Sequence, residues 1–474
     1  MRYGTLTEDL AAQLRAIVGS DHVLDDQESR ARYGHDETES LSFPPDLVIR
    51  PRTTDEISRI MKLASAHRIP VTPRGGGTGL SGGALAVYGG IGLSFERMNS
   101  ILEIDRANLQ AVVEPGVITQ TLHEKVEALG LFYPPDPASR GSSHIGGNLA
   151  ECAGGPRASK YGVTGDYVLG LQAVIADGST IRTGARVLKN VAGYDLTSLI
   201  VGSEGTLALV TEITLRLIPL PRHRRVILVA FKTLEEASAV VAGIFQQGIT
   251  PSALEFMERA AVSIAEERLG KKFPNGEAGA QLFLEVDGNS PESLDHDIAG
   301  IAALLEHHTP LDILVAQEHQ KMEDVWALRR GIGEAVKSIA PYKEEDTVVP
   351  RSRLPELVRG VKEICRRYDI TSICYGHAGD GNVHVNLLNE HLDERHWQKT
   401  ADKAVREIFA LTVALGGTIS GEHGIGYSQK SYLPIGIGPG ELRLMREIKN
   451  LFDPLGILNP GKIFPDEEPA PSPH

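Results

Sequence analysis

"RGGGTGLSGG", residues 74–83, sets six glycines in ten positions directly after the predicted strand "IPVTPR". Bare backbone N–H groups at such a turn form a nest for an anion such as phosphate. The stretch is not a Walker A loop, since no Gly-Lys-Ser/Thr follows. Nor is it a GxGxxG opening a long helix, because "GGALAVYGGIGLSF" leads towards another strand. A flexible surface loop is the competing reading, but such loops rarely interrupt a regular frame. The frame here is a βαβ unit over residues 46–74. "PDLVIRP" is a strand, "EISRIMKLASAH" puts Ile57, Ile60, Met61 and Ala64 on one helical face, and "IPVTPR" is the second strand.

Three more segments share the glycine-rich character: "PPDPASRGSSHIGGNLAECAGG" (134–155), "KYGVTGDYVLG" (160–170) and "VGSEGTLALVTEI" (201–213). Several such backbone approaches in one domain imply a long ligand in an extended pose, which suits a dinucleotide better than a lone phosphate. Around them, "ITQTLHEKVEALG" predicts a helix with Ile118, Leu122, Val126 and Leu129 inward and Gly130 as its stop. "LQAVIADGSTIRTG" predicts a hairpin closed at Asp177-Gly178, and "GTLALVTEITLRLIP" a further strand.

The glycine-rich character ends near "LIPLPRHRR", which sets a domain boundary at about residue 220. Strand 226–231, helix 233–247, strands 253–257 and 281–286, helix 291–307 and strand 312–316 follow the β-α-β-β-α-β order of a ferredoxin-like sandwich. A long helix, 319–339, carries Trp326 and Arg329. A strand near 346–349, a helix near 354–367 and the hairpin "GHAGDGNVHV" (376–385) come next. The expected class is α+β, with a first domain over 1–220, a cap over 221–415, a tail over 416–465 that returns to the first domain, and a disordered end at 466–474.

At 474 residues the chain exceeds one compact core, and its 41% hydrophobic and 23% charged residues are those of a soluble globular protein. A net charge of −14 argues against nucleic acid or an anionic membrane as the main partner, yet leaves room for one basic pocket. Cys152, Cys365 and Cys374 are odd in number and form no CxxC, so neither a disulfide framework nor an iron–sulfur site is supported. The simplest location is a reducing cytoplasm. The N-terminus lacks a signal pattern, and no window reaches the roughly 18 apolar residues of a membrane span, so any membrane association is expected to be peripheral or through a partner.

His377 and His384 flank Gly379-Asp380-Gly381, and a hairpin there lets both imidazoles converge. Alone this is equally a structural hairpin. "SGEHGIG" (420–426) adds Glu422 beside His423 in a loop able to approach closely. Two histidines and a carboxylate leave open positions, as a catalytic divalent site needs. Arg329 shares a helical face with Trp326, although a lone helical arginine is ordinarily a solvated charge.

The four glycine-rich segments resemble the flavin-binding (PCMH-type) domain of the vanillyl-alcohol oxidase / p-cresol methylhydroxylase superfamily. With "GHAGDGNVHV" and "SGEHGIG" added, residues 20–465 resemble the branch that holds the glycolate oxidase catalytic subunit, D-lactate dehydrogenase and D-2-hydroxyglutarate dehydrogenase. The resemblance implies FAD, held in a flavin domain of two α+β subdomains and covered by an antiparallel cap. Arg74, Gly75, Gly76, Gly77, Thr78, Gly79, Leu80 and Ser81 would cradle the pyrophosphate. Pro135, Asp136, Ser139, Gly146, Gly147 and Asn148 would line the flavin, with Gly154, Tyr161, Gly162 and Val168 continuing that wall. Glu204, Gly205 and Ile213 would reach the adenosine half, and Asn459 would approach from the tail. Some relatives link flavin through a histidine of the glycine loop; Thr78 and the lack of a histidine there imply noncovalent FAD, and Cys152 reads more simply as a small buried cysteine than as a thiol link.

The same resemblance implies a divalent metal (zinc, manganese or iron) on His377, His384 and Glu422, His423 as proton acceptor, and Arg329 on the substrate carboxylate. Lys343 and Asn386 match substrate-holding positions of D-2-hydroxyglutarate dehydrogenase. That enzyme has a threonine where this chain has Gly333, however, and Glu344, Glu345 and Asp346 can neutralise Lys343, so a second-carboxylate pocket stays open. The expected reaction oxidises a D-2-hydroxy acid (D-lactate, glycolate or D-2-hydroxyglutarate) to the 2-oxo acid, with hydride to flavin N5. The hydroxyl proton, with a pKa of about 16 if treated like water, needs a Lewis acid. Electrons then pass to a non-nicotinamide acceptor: a quinone, a cytochrome, another flavoprotein or an iron–sulfur subunit. A homodimer is compatible with this reading. The alternatives are a non-catalytic flavin subunit of a larger oxidase complex and a non-redox flavin enzyme of the same fold. The presence of His377, His384, Glu422 and His423 together argues against both.

Overall fold

The computed structural model describes residues 3–466. Of the expected disordered end, residues 467–474 lie outside the described residues.

The first sheet holds β1 (Val23–Leu24), β2 (Leu47–Ile49), β3 (Val71–Arg74) and β4 (Ile91–Ser94), in the order β1-β2-β4-β3. The helix Thr54–His67 joins β2 to β3, and β4 fills the gap between them, parallel to both. The helix forms where expected. Thr53 caps it by accepting from the Glu56 N–H, and Ile57, Ile60, Met61 and Ala64 are all buried in one core. The glycine loop 74–83 leaves from the end of β3.

β5 (Ile101–Asp105), β6 (Gln110–Val113), the short β7 (Leu131–Phe132), β8 (Val168–Val174), β9 (Thr180–Gly184), β10 (Leu209–Arg216) and the short β11 (Ile218–Pro219) follow. Five of them form an antiparallel sheet, β5-β6-β10-β8-β9, and β7 pairs with β11. The β8–β9 hairpin closes over residues 175–179, where Asp177 accepts from the Ser179 N–H. One expectation changes. The helix is Thr119–Glu127, so Leu122 and Val126 are buried, but Ile118 and Leu129 fall outside it and are each 37% exposed.

The cap is one seven-stranded antiparallel sheet of β12 (His223–Phe231), β13 (Ala253–Glu258), β14 (Ala280–Gly288), β15 (Asp312–Ala316), β16 (Tyr342–Val348), β17 (Thr371–Gly376) and β18 (Asn382–Leu388). Its order is β15-β12-β14-β13-β17-β18-β16. The first four strands have the ferredoxin-like order, and the other three extend that sheet at β13, so the expected sandwich is part of a larger layer. A helix the sequence reading did not place, Arg259–Leu269, lies between β13 and β14. Strand alternation sends Val383, Val385 and Leu387 into the core under the helices Leu234–Gln246, Leu354–Arg367 and Glu394–Ala414. Leu388 packs on the other face, with the helix His319–Lys337, and His384 and Asn386 share its parity. That face meets the first domain.

The tail ties the parts together. Thr418 and Ser420 bridge β16 at Val348 and Asp346. The backbone N–H groups of Ile425 and Gly426 donate to the Glu204 carboxylate, and those of Tyr427 and Ser428 to the Ser81 carbonyl. Gly426 is required here: it sits at φ 49°, and a β-carbon would come 2.2 Å from the Ser81 oxygen. Ile457 and Leu458 are buried in the core of the first sheet, where Leu458 pairs with Val71 beyond the edge of β3. Among the described residues no helix is long and apolar enough to cross a membrane.

Candidate active site

One cavity of about 460 Å³ runs from the glycine-rich segments to the inner face of the cap. Its first wall contains the whole Arg74–Leu80 loop, with Asp136, Ser139, Gly146, Gly147, Asn148, Glu204 and Gly205. A β-carbon on Gly79 or Gly147 would meet nothing within 4 Å, so both backbones are open to a ligand. Arg74 Nη1 and His144 Nδ1 are buried, without a protein partner, and belong to residues on this wall. A long ligand with an anionic segment fits these groups.

Other residues expected at the flavin stand near the wall rather than on it. Ser81 is buried behind the loop, its carbonyl taken by the tail. Asn459 Nδ2 donates to the carbonyls of Gly83 and Glu204, bracing two wall segments from behind. The Pro135 carbonyl is bound to His123 Nε2 at 2.9 Å. A β-carbon on Gly154 would come 3.2 Å from Glu422 Oε2, which places Gly154 at the seam with the tail. Tyr161, Gly162, Val168 and Ile213 do not line the cavity. The Tyr161 hydroxyl donates to Asp287 of the cap, Gly162 turns the chain at φ 84°, Val168 opens β8, and Ile213 is fully buried between β6 and β8. The 160–170 segment therefore serves the domain seam and the sheet. Cys152 is half-buried and off the cavity wall, and burial pushes its thiol up.

The second wall holds the polar cluster. The β17–β18 hairpin closes at Gly381, at φ 85°, where a β-carbon would come 1.9 Å from the Val349 oxygen. His377 Nε2 stands 3.2 Å and His384 Nε2 3.8 Å from Glu422 Oε1. Donors sharing one ion at about 2.1 Å in tetrahedral geometry stand roughly 3.4 Å apart, so these three fit a single divalent ion. Burial, with His423 and His377 adding to it, lowers the His384 pKa to about 4, whereas at His377 the Glu255 and Glu422 carboxylates outweigh burial and raise it well above the ordinary imidazole value.

Two buried carboxylates hold the cluster in place; the sequence reading gave Glu255 no role and Asp346 only that of neutralising Lys343. Glu255 on β13 accepts from His377 Nδ1, 2.8 Å from both oxygens, and pairs with the Arg329 guanidinium. Burial pushes its carboxyl up, but His377 and Arg329 outweigh that and hold it below the usual range. Asp346 on β16 accepts on one oxygen from the N–H groups of Gly421 (2.8 Å), Glu422 (2.7 Å) and His423 (2.9 Å), and from the Ser420 hydroxyl (3.2 Å). Those bonds aim the Glu422–His423 pair. The His423 ring stacks on His384, with centroids 5.1 Å apart. Burial opposes charge on His423, but Asp346, Glu344 and Glu422 outweigh it and its pKa is raised. Glu344, His384 and His423 form a second close group of possible ligands.

Arg329 is 7% exposed, lines the cavity, lies over the Tyr375 ring at 5.5 Å, and leaves its Nε unpaired. Lys343 corrects an expectation. On β16, Glu344 and Asp346 pair with Asn386 and His384, so alternation turns Lys343 to the opposite face, where it pairs with Glu345 at 3.4 Å over the Tyr432 ring. Asn386 is fully buried on the site face of β18, its amide atoms unpaired, though it is not on the cavity wall. The register of β16 against β18 puts Glu344 and Asp346 on the His384 face, and the charged run itself does not reveal it. Nothing local marks Glu255.

Comparison with known proteins finds the model for FAD linked oxidases, C-terminal domain, over residues 220–463 and that for the FAD binding domain over residues 45–184. The chain is 41% identical over 463 residues to the glycolate oxidase subunit GlcD of Bacillus subtilis (strain 168), covering 97% of each. It is 36% identical over 469 residues to the D-lactate dehydrogenase of Anaerostipes hadrus, covering 98% of each. Among solved structures, p-cresol methylhydroxylase with substrate bound superposes with a TM-score of 0.80 at 16% identity, covering 97% of both chains, a likeness of fold.

Proposed function

The chain belongs to the FAD-linked oxidases, and on that premise we propose that it oxidises a D-2-hydroxy acid (D-lactate, glycolate or D-2-hydroxyglutarate) to the 2-oxo acid. One observation carries the reading: the glycine-rich wall, Arg329, the His377–His384–Glu422 cluster and His423 open into one cavity. What FAD supplies when bound is a hydride acceptor, and what a divalent ion (zinc, manganese or iron) supplies on the two histidines and Glu422 is Lewis acidity towards the substrate hydroxyl.

The chain's residues do the rest. Arg329 binds the substrate carboxylate through its unpaired edge, steadied by Glu255 and the Tyr375 ring. His423 takes the hydroxyl proton, and Asp346 keeps that imidazole beside the ligands. The glycine loop, with Thr78 and no histidine, holds FAD noncovalently. Division of labour follows the folds: residues 1–220 bind FAD, 221–415 hold substrate, and 416–465 serve both. Electrons leave for a non-nicotinamide acceptor, a protein or an iron–sulfur subunit, in the cytoplasm or at a membrane through that partner.

The test is anaerobic mixing of the holoenzyme with glycolate and a panel of D- and L-2-hydroxy acids. Loss of the yellow flavin absorbance with glycolate or a D-acid is expected; no loss with any of them refutes the reading. Acid precipitation should release the flavin into the supernatant.

A further inference from the structure

Beyond Arg329 the cavity wall carries a charge pair that the proposed reaction does not use. On the helix His319–Lys337, Arg329, Gly333 and Lys337 are spaced four apart and all line the cavity. Each such step advances about 6 Å, so a substrate clamped at Arg329 by its carboxylate extends its carbon chain past Gly333 towards Lys337. Gly333 leaves room, since a β-carbon there would meet only the Tyr375 hydroxyl at 3.5 Å. Facing this path is Glu344, whose side chain is 5% exposed. Its Oε1 accepts from the Tyr375 hydroxyl at 3.3 Å, and its Oε2 lies 3.0 Å from Lys337 Nζ. Lys343, the neighbouring cation on β16, points away and is paired with Glu345.

We propose that Glu344 acts as a charge filter, restricting the enzyme to monocarboxylic 2-hydroxy acids whose far end is uncharged and turning away diacids. The proposal rests on the oxidase reading above. The one ammonium on this stretch of wall is committed to Glu344. A second carboxylate must take Lys337 from a buried partner and then lie beside the carboxylate it displaced, which is costly in a desolvated site. A neutral polar end meets an acceptor in Glu344 and the Tyr375 hydroxyl. Because Gly333 leaves space, charge rather than size does the selecting.

An isosteric pair separates charge from size: D-2-hydroxyglutarate and its 5-amide, each used to reduce the holoenzyme anaerobically. The wild type is expected to favour the amide by roughly 100-fold in kcat/KM. Glu344→Gln, with its metal retained, should narrow that gap to about threefold by improving the diacid. The filter is overturned if the wild type treats the two acids alike, if the gap persists in Glu344→Gln, or if that variant loses its divalent ion, which would make Glu344 a ligand. Should the variant not fold, the wild-type comparison decides alone. If glycolate, D-lactate and the amide all leave the flavin oxidised, the oxidase reading falls and the filter with it. If they reduce it and the diacid does so equally well, only the filter falls.

Discussion

Glu255→Gln removes one negative charge and almost no volume from a fully buried position that holds both a proposed metal ligand and the proposed carboxylate clamp. The amide can still accept from one neighbour, but it no longer balances Arg329 or polarises His377. Breaking a buried ion pair from one side costs about 3–5 kcal/mol, because the remaining charge stays desolvated. Loss of the carboxylate behind a ligating histidine typically weakens metal affinity about 10–100-fold. Denaturant unfolding of the variant should therefore show a loss near the lower end of that range, because the amide oxygen still accepts from one of the two neighbours. Elemental analysis after equilibration in metal buffers should show the weakened affinity, and KM for the acid substrate should rise as Arg329 loses its anchor. A variant with wild-type stability, metal content and KM would refute the reasoning, because Glu255 would then be a bystander.

Asp346→Ala should loosen the loop carrying Glu422 and His423, cutting flavin reduction by roughly 100-fold while FAD content, measured by absorbance, stays unchanged. A chelator that strips the proposed divalent ion should abolish flavin reduction by substrate yet leave FAD bound, with activity restored by zinc, manganese or iron. The buried His123 has its pKa lowered to about 4 by desolvation, against 6.5 when unfolded. The unfolded chain therefore takes up the proton first, and stability falls as pH drops from 6.5 towards 4, by roughly 3 kcal/mol from this group. His123→Gln should flatten that part of the stability–pH curve.

Much of the fold is legible in local pattern. The stripe Ile57-Ile60-Met61-Ala64, the Asp177-Gly178 turn and the β-α-β-β-α-β order all describe short-range geometry, and each has its counterpart in the structure. The same holds for the two histidines, because a tight hairpin alone brings His377 and His384 together. What local pattern lacks is the pairing between distant strands. Glu255 meets His377 because β13 adjoins β17, 122 positions away in sequence. Lys343 and Glu344 are adjacent, and only the register of β16 against β18 decides which of them faces the site. A run of charges such as "KEED" conceals that choice, since both parities are polar.

The tail has a consequence for how the enzyme comes into being. The groups proposed to finish the reaction, Glu422 and His423, and the residues that seal β3, Ile457 and Leu458, leave the ribosome after the glycine loop, Arg329 and both hairpin histidines. A chain interrupted before residue 416 contains the glycine loop, Arg329 and both hairpin histidines, but neither the proposed proton acceptor nor the proposed third ligand. On the proposed reading, oxidising power is withheld until the chain has passed Leu458.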